Sequence, residues 1–541
     1  MTKTALIVVT KPNKVLQFLP KIKNCIKNTL YILLLSENKL ANTNTQIKKL
    51  GSGACFAPSI IQLYKDTLQL NLDVRILLSG VREPSVSKIT TNKRVEVVYM
   101  DSLLNKNKRG YLSTLLTNKT LDCDFVSSNE MEDDDITRQN FQTESCKTYN
   151  NVVLGGTFDR LHTGHKILLS EAVLHCQKKI TVGVTDLEML KTKKLWELIE
   201  PTEVRIKNVL EFLQEIEPRL EYEVVPIKDM FGPTKDDPTF EMIVVSAETV
   251  GGSAKVNEVR LRNGLNQLEV HSVPLLPENY KDDEIEEDKV SSGNNRLRLL
   301  GTILQPPLKR PNLPVEPYII GLTGGIASGK TAVSEYLQTL GAHVINADKL
   351  GHEVYQVGKP TYQNILTEFG EKVCRQDGSI DRSALGSIVF GDKHKLLKLN
   401  SIVWPAIRDL LNERITNFVQ THGKHNIIVF EAALLLQAKW DDYCHEVWTC
   451  IVPPEEAIDR ITERDGLSEG QARQRLDSQM SNVEQVRAAN VVFCTLWTKA
   501  YTRKQVDRAW IELQQRTPFS KAANIDDDKD KTATHIADEK S

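Results

Sequence analysis

Short, unbroken apolar runs alternate along this chain with stretches that carry a helical period. In the first third the runs fall at residues 5–9, 30–35, 74–78 and 95–99. Beyond residue 150 they recur at 151–154, 182–184, 243–245, 318–323 and 342–346. Runs of this length without polar alternation predict strands buried on both faces of a sheet, and strand–helix alternation predicts parallel α/β units. No internal repeat is apparent.

Two acidic, weakly apolar stretches interrupt the pattern. They divide 541 residues into an N-terminal α/β region at 1–121, an acidic linker at 122–149, a second domain at 150–277, an acidic and proline-rich linker at 278–316, and a third domain at 317–520. Such linkers bury too little apolar surface to fold, apart from a short amphipathic helix expected within 294–304. The polar tail, 521–541, is expected to be disordered. Gly51-Ser52-Gly53 is read as a turn, because no helix-opening Lys-Ser/Thr follows it.

Composition narrows the class. A formal net charge of −2 gives nucleic acid no polycation to grip, so no nucleic-acid partner is expected. The 9 cysteines are scattered without a C-x-x-C pair, which signals neither a zinc site nor a disulfide framework. No apolar run approaches the ~20 residues of a spanning helix. Residues 1–36 carry six lysines and no acid, yet no arginine. That start reads either as a mitochondrial address or, preferably, as the first strand and helix of a folded domain.

Two segments carry chemistry. After the strand at 151–154 comes Gly155-Gly156-Thr157-Phe158-Asp159-Arg160-Leu161-His162-Thr163-Gly164-His165, which then opens a helix. Glycines let backbone approach a phosphate, and free helix-opening N–H groups attract the anion. His162 and His165 can face one pocket, with Gly164 leaving room for a ribose or adenine. A metal reading of the pair lacks a third ligand. The second segment, Gly324-Gly325-Ile326-Ala327-Ser328-Gly329-Lys330-Thr331, joins an apolar strand to an amphipathic helix and fits a P-loop. Its amides would nest the β-phosphate, Lys330 would reach the β- and γ-phosphates, and Thr331 would bind Mg²⁺. Asp348 lies just past the next strand, where ligands bind in open α/β sheets, and His352 lies four residues on. An ordinary helix cap is the alternative for Asp348.

The first segment resembles the nucleotidylyltransferase signature, and Gly155 to His162 is similar to phosphopantetheine adenylyltransferases of eukaryotic type. The second, with Ala347-Asp348-Lys349-Leu350-Gly351-His352, Gly378-Ser379-Ile380-Asp381-Arg382 and Arg464-Asp465-Gly466-Leu467-Ser468, resembles the dephospho-CoA kinases. Their order on one chain resembles the animal bifunctional coenzyme A synthases. The resemblance implies a Rossmann-like adenylyltransferase domain followed by a P-loop kinase domain with a helical lid. It implies ATP as co-substrate, Mg²⁺, and the small-molecule substrates 4′-phosphopantetheine and dephospho-CoA. His162 and His165 would stabilise charge on the adenylyl phosphate, while Gly155, Thr157, Phe158, Ser246 and Thr249 would line its ATP site. Lys191 and Arg205 would hold substrate, with Lys193 or Lys194 as alternatives to Lys191, and Arg260 stands as a candidate for the superfamily's arginine. In the kinase, Lys330 and Asp348 would be catalytic and His352 would bind the acceptor. Gly324, Gly325, Ala327, Ser328, Gly329, Thr331, Arg464 and Arg475 would contact ATP. Glu431 receives no role. A different nucleotidyltransferase, of nicotinamide-mononucleotide or cytidylyl type, fused to a nucleoside kinase is the alternative. Location stays open between cytoplasm and mitochondrion, with peripheral association at a mitochondrial membrane among the options.

Overall fold

Every strand pairing in the three sheets is parallel, as the unbroken apolar runs require. The computed structural model describes residues 2–35, 56–82, 88–100, 106–127, 147–389, 391–423 and 426–517. The expected turn at 51–53, most of the first acidic stretch and the tail 521–541 lie outside the described residues. The chain divides into two units, Met1–Asn295 and Arg296–Ser541.

The first unit holds two five-stranded sheets. One comprises β1 (Thr2–Val9), β2 (Ile26–Leu34), β3 (Asp73–Leu77), β4 (Val95–Met100) and β5 (Lys119–Ser127), in the order β3-β2-β1-β4-β5. The other comprises β6 (Tyr149–Gly156), β7 (Cys176–Thr185), β8 (Glu221–Ile227), β9 (Met242–Ser246) and β10 (Glu269–Val273), in the order β10-β9-β6-β7-β8. Counted within each sheet, both run third, second, first, fourth, fifth. The N-terminal region therefore has the strand order of the domain that follows it, a likeness that substitutable apolar runs hide in sequence. Ala5 to Val9 are fully buried in the central strand β1, so the start of the chain forms the expected first strand.

The two sheets share one apolar core. Helix α1 (Ala57–Thr67) packs on α2 (Thr163–His175). Lys166 on α2 is 6% exposed and donates to Asp73 Oδ1 at 2.6 Å and to Val74 O at 2.9 Å, both on β3. On α3 (Thr202–Ile216), the buried carboxylate of Glu215 accepts from Tyr31 Oη at 2.7 Å and pairs with Arg75. An uncompensated charge at such a seam costs far more than the intact pair contributes, so these ions fix the register of one sheet on the other.

Two linker expectations are corrected. Residues 122–127 belong to β5 rather than to a linker. Residues 278–316 are ordered: Glu286 is buried, Asn294 is fully buried, and a helix forms at Ser292–Leu299. Side-chain hydrogen bonds replace the missing apolar area, with Asn294 Nδ2 donating to Glu287 O at 3.0 Å and Lys289 O at 3.1 Å.

The second unit holds β11 (Tyr318–Gly324), β12 (His343–Asn346), β13 (Ile427–Glu431), β14 (Glu446–Ile451) and β15 (Val491–Cys494), in the order β12-β13-β11-β14-β15. Helices α4 (Lys330–Thr339) and α5 (Ala347–Val354) follow the first two of these strands. Farther on, α6 (Pro454–Asp465) and α7 (Glu469–Asp477) form a helical pair. Fold class is thus as expected, multidomain α/β with parallel sheets.

Burial opposes the charge on Asp73, but the Lys166 and Arg75 cations outweigh it and hold the carboxyl below the ordinary 3.8. A depressed carboxyl stabilises fully above its unfolded value and loses that contribution as pH falls through the folded one. Asp73→Asn should therefore cost about 3 kcal/mol near neutral pH, with the difference from wild type shrinking below about pH 4. Denaturant unfolding of the full chain at several pH values checks this.

Candidate active sites

The first site forms where β6 ends and α2 begins. His162 precedes the helix in extended conformation, and His165 sits in its first turn. The two rings stack at a centroid distance of 3.8 Å and 21°. Gly164 makes this possible, because a Cβ there would lie 3.2 Å from the His162 ring. The space expected for a ribose is therefore taken by imidazole. Enclosure, then the nearby Lys193 ammonium, push His165 down to about 3, so the ring is neutral at physiological pH. Its Nδ1 is buried with no hydrogen-bond partner among the described residues. A buried polar atom kept without a partner points to a ligand that supplies one.

The flanking residues sort differently from expectation. Arg205 is fully buried, and its guanidinium donates to Glu200 O at 2.8 Å, Thr157 O at 2.7 Å and Thr202 Oγ1 at 3.0 Å. It braces the loop from beneath instead of facing substrate. Phe158 is also fully buried, 5.2 Å from the His165 ring, so only its backbone can reach a nucleotide. Lys191 is tied at 2.9 Å to Glu188 on an exposed turn, whereas Lys193 is the lysine whose charge reaches His165. Arg260 is fully buried and donates to the carbonyls of Asn266, Thr234 and Asp237 at the wrong end of its helix. Ser246 and Thr249, the expected ATP-lining pair, have their hydroxyls 3.1 Å apart where β9 passes into the helix Val250–Arg262. Gly155 is exposed at the tip of β6, open to close approach. Ser292 also closes the loop, its hydroxyl donating to Asp159 O at 3.1 Å.

The second site forms between β11 and α4. Gly324 at φ 148° and Gly329 at φ 80° take conformations that side-chain-bearing residues rarely adopt. Between them Ser328 is 2% exposed, and its hydroxyl has no partner among the described residues. Lys330 Nζ donates across the loop to Gly324 O at 2.7 Å and Gly325 O at 2.9 Å. Burial pushes the Lys330 ammonium down, and nearby Glu431 and Asp348 pull it back up. A desolvated cation inside a ring of backbone groups fits a phosphate.

Glu431, which the sequence left without a role, organises this site. It ends β13 at 6% exposure and accepts from Thr331 Oγ1 at 3.1 Å, Ser334 Oγ at 2.8 Å and Asn346 Nδ2 at 3.0 Å. Asn346 also caps α5 by accepting from Lys349 N at 3.1 Å, so Asp348 is not the cap and stays exposed in the first turn. His352 is exposed on the same helix; burial, then Arg382, lower its imidazole, while Asp348 raises it. Arg464 and Arg475 both bind Asp465, at 2.8 and 2.9 Å, and do not touch the loop. Arg460 does: it donates to Ala327 O at 3.1 Å and Thr495 O at 2.7 Å. The backbone of Ile326 is held in turn by Gln479 Oε1 at 2.7 Å.

Comparison with known proteins decides the second site. Residues 318–495 match the family model for dephospho-CoA kinase. The dephospho-CoA kinase of Carboxydothermus hydrogenoformans is 40% identical over 188 residues, which cover 35% of this chain and 90% of that protein. The chain belongs to the dephospho-CoA kinase family. The corresponding protein of Geobacter sulfurreducens is 41% identical over 192 residues, covering 36% of this chain and 96% of that one. A solved dephospho-CoA kinase from Campylobacter jejuni is 27% identical and covers 36% of this chain and 97% of its own, with a TM-score of 0.29. Residues 153–297 match a second family model, cytidylyltransferase-like.

For this dephospho-CoA kinase family member, Glu431 and Arg460 are the residues that sequence reasoning missed. Glu431 had a signal, an apolar strand ending in a carboxylate; Arg460 lies just ahead of the Arg464-Asp465-Gly466-Leu467-Ser468 pattern, but its loop partners Ala327 and Thr495 are remote in sequence. Glu431→Ala strips three donors of their acceptor, of which the Ser334 hydroxyl is buried, and this should cost about 1–3 kcal/mol in denaturant unfolding. It should also slow phosphoryl transfer on the order of 100-fold by freeing Thr331 and the α5 cap. Single-turnover kinetics check the second effect.

Proposed function

We propose that the chain carries out the last two steps of coenzyme A synthesis. In the first, a phosphate oxygen of 4′-phosphopantetheine attacks the α-phosphorus of ATP, pyrophosphate leaves, and dephospho-CoA forms. In the second, the ribose 3′-hydroxyl of dephospho-CoA attacks the γ-phosphorus of a second ATP, giving coenzyme A and ADP. The observation that carries the reading is that one chain pairs a dephospho-CoA kinase P-loop with a cytidylyltransferase-like domain whose helix opens on stacked His162 and His165.

Neutral His165 acts as a hydrogen-bond donor to the reacting phosphate and not as a proton shuttle, which makes the step electrostatic stabilisation. Arg205 and Ser292 hold the loop still beneath it, and Ser246 and Thr249 offer hydroxyls at a helix N-terminus suited to the leaving pyrophosphate. In the kinase, the loop amides and Lys330 cradle phosphate, Ser328 supplies a waiting hydroxyl, and Asp348 orients the acceptor hydroxyl. The Thr331 hydroxyl and Glu431 carboxylate form a hard-oxygen pair of the kind Mg²⁺ takes, and the ion would neutralise charge on the bridging phosphates. Arg464 and Arg475 would reach ATP by movement of the α6–α7 pair.

The fusion is further read as the animal type, on the linker segment Glu286-Glu287-Asp288-Lys289-Val290-Ser291-Ser292, which packs at the adenylyl site. Cleavage of residues 1–36 as an address would remove the central strand β1, so the N-terminal sheet is read as a support for α2 that stays with the enzyme.

Two variants separate the steps. Lys330→Ala should let dephospho-CoA accumulate while coenzyme A formation stops. His165→Ala should stop dephospho-CoA formation while added dephospho-CoA is still phosphorylated. Chromatographic product analysis reads both, and turnover of nicotinamide mononucleotide in place of 4′-phosphopantetheine would overturn the assignment.

A further inference from the structure

At the far end of α2 from the stacked histidines, three side chains converge that neither reaction uses. Glu171 and His175 lie one turn apart on the helix, and His271 comes from the edge strand β10. Each offers one ligand atom, and these atoms all lie within 4.8 Å of one another. Glu171 Oε2 is 3.0 Å from His271 Nε2 and 3.8 Å from His175 Nε2. We propose that Glu171, His175 and His271 form a binding site for a divalent transition metal, with Zn²⁺ the best-matched ion.

The Glu171 side chain is 1% exposed, yet Oε1 has no hydrogen-bond partner among the described residues and Oε2 has a single short contact. Leaving a carboxylate so poorly satisfied in the interior is costly, and a bound cation removes the cost. His175 Nδ1 lies 3.1 Å from Lys147 O, which can only accept. That bond places the proton on Nδ1 and leaves the Nε2 lone pair aimed into the cluster, the arrangement that orients a metal-bound imidazole. His175 is also the last residue of α2, where the helix dipole favours positive charge.

The donor set decides the ion. Two imidazoles and a carboxylate suit zinc, whose ligand bonds of about 2.0–2.1 Å put tetrahedral donors roughly 3.3 Å apart. The observed separations of 3.0 and 3.8 Å from Glu171 Oε2 to the two imidazoles lie on either side of that spacing. Cys176 does not join, because its thiol faces Asn150 O at 3.5 Å and Lys179 O at 3.2 Å. Water would fill the fourth position, and His271, 31% exposed, marks the way in. A metal here pins edge strand β10 to the helix that carries His165 and follows His162. Its expected effect is on the stability of the adenylyl domain, by preferential binding to the folded state.

The test uses the full chain, stripped with chelator, reloaded with ZnCl₂ and desalted, with metal counted by mass spectrometry. Wild type should retain one zinc per chain and melt at a higher temperature than the stripped protein. Glu171→Gln and His271→Gln, which keep side-chain shape, should retain none and show no zinc-dependent shift. Far-UV circular dichroism and elution volume confirm that both variants fold. Loading with Co²⁺ should give the visible bands of a four-coordinate nitrogen and oxygen site. The proposal is overturned if wild type keeps no zinc, if either folded variant keeps as much as wild type, or if Co²⁺ shows sulfur charge-transfer absorption.

Discussion

Parallel pairing is the constraint on which the rest of this protein depends. A strand that pairs in parallel must return through a crossover, so strand ends and helix beginnings gather along one edge of the sheet. At that edge free backbone N–H groups and the positive end of a helix dipole meet, which suits phosphate before any side chain is chosen. The protein uses the device where β6 passes into α2 and where β11 passes into α4. The side chains then specialise each edge, stacked imidazoles in one and a half-buried lysine in the other.

The N-terminal sheet has the same strand order as the sheet of the adenylyl site, but its surface is put to a mechanical use. Lys166 follows His165 directly in sequence, and Asp73 and Val74 of the N-terminal sheet hold it. Position of the helix that opens on the stacked histidines thus depends on an ion pair from a different sheet. Precise placement is worth more to a phosphate-transferring site than any added contact, since little covalent chemistry is left for the protein to do.

What could be read in the sequence was what is local. The P-loop and the H-x-G-H segment are contiguous, so spacing alone revealed their strand–loop–helix geometry. Glu431 escaped because Thr331 and Asn346, its partners, are remote in sequence and meet it only when β13 lies beside β11 and β12. Arg205 and Arg260 were misjudged for a related reason. A guanidinium suggests a phosphate ligand, yet both are fully buried and satisfy backbone carbonyls, and burial of that kind has no sequence signature. The acidic linker at 278–316 failed in the opposite direction: apolar content underestimated a segment that folds through polar contacts such as those of Asn294.

The central claim is that two ATP-dependent steps run in series on one polypeptide. The most direct measurement is a time course of purified wild-type chain with 4′-phosphopantetheine, ATP and Mg²⁺, following all nucleotides and pyrophosphate together. The account predicts dephospho-CoA rising first and then coenzyme A, with one pyrophosphate and one ADP released for each coenzyme A formed. Coenzyme A formation without pyrophosphate, or no consumption of 4′-phosphopantetheine while added dephospho-CoA is phosphorylated, would contradict it.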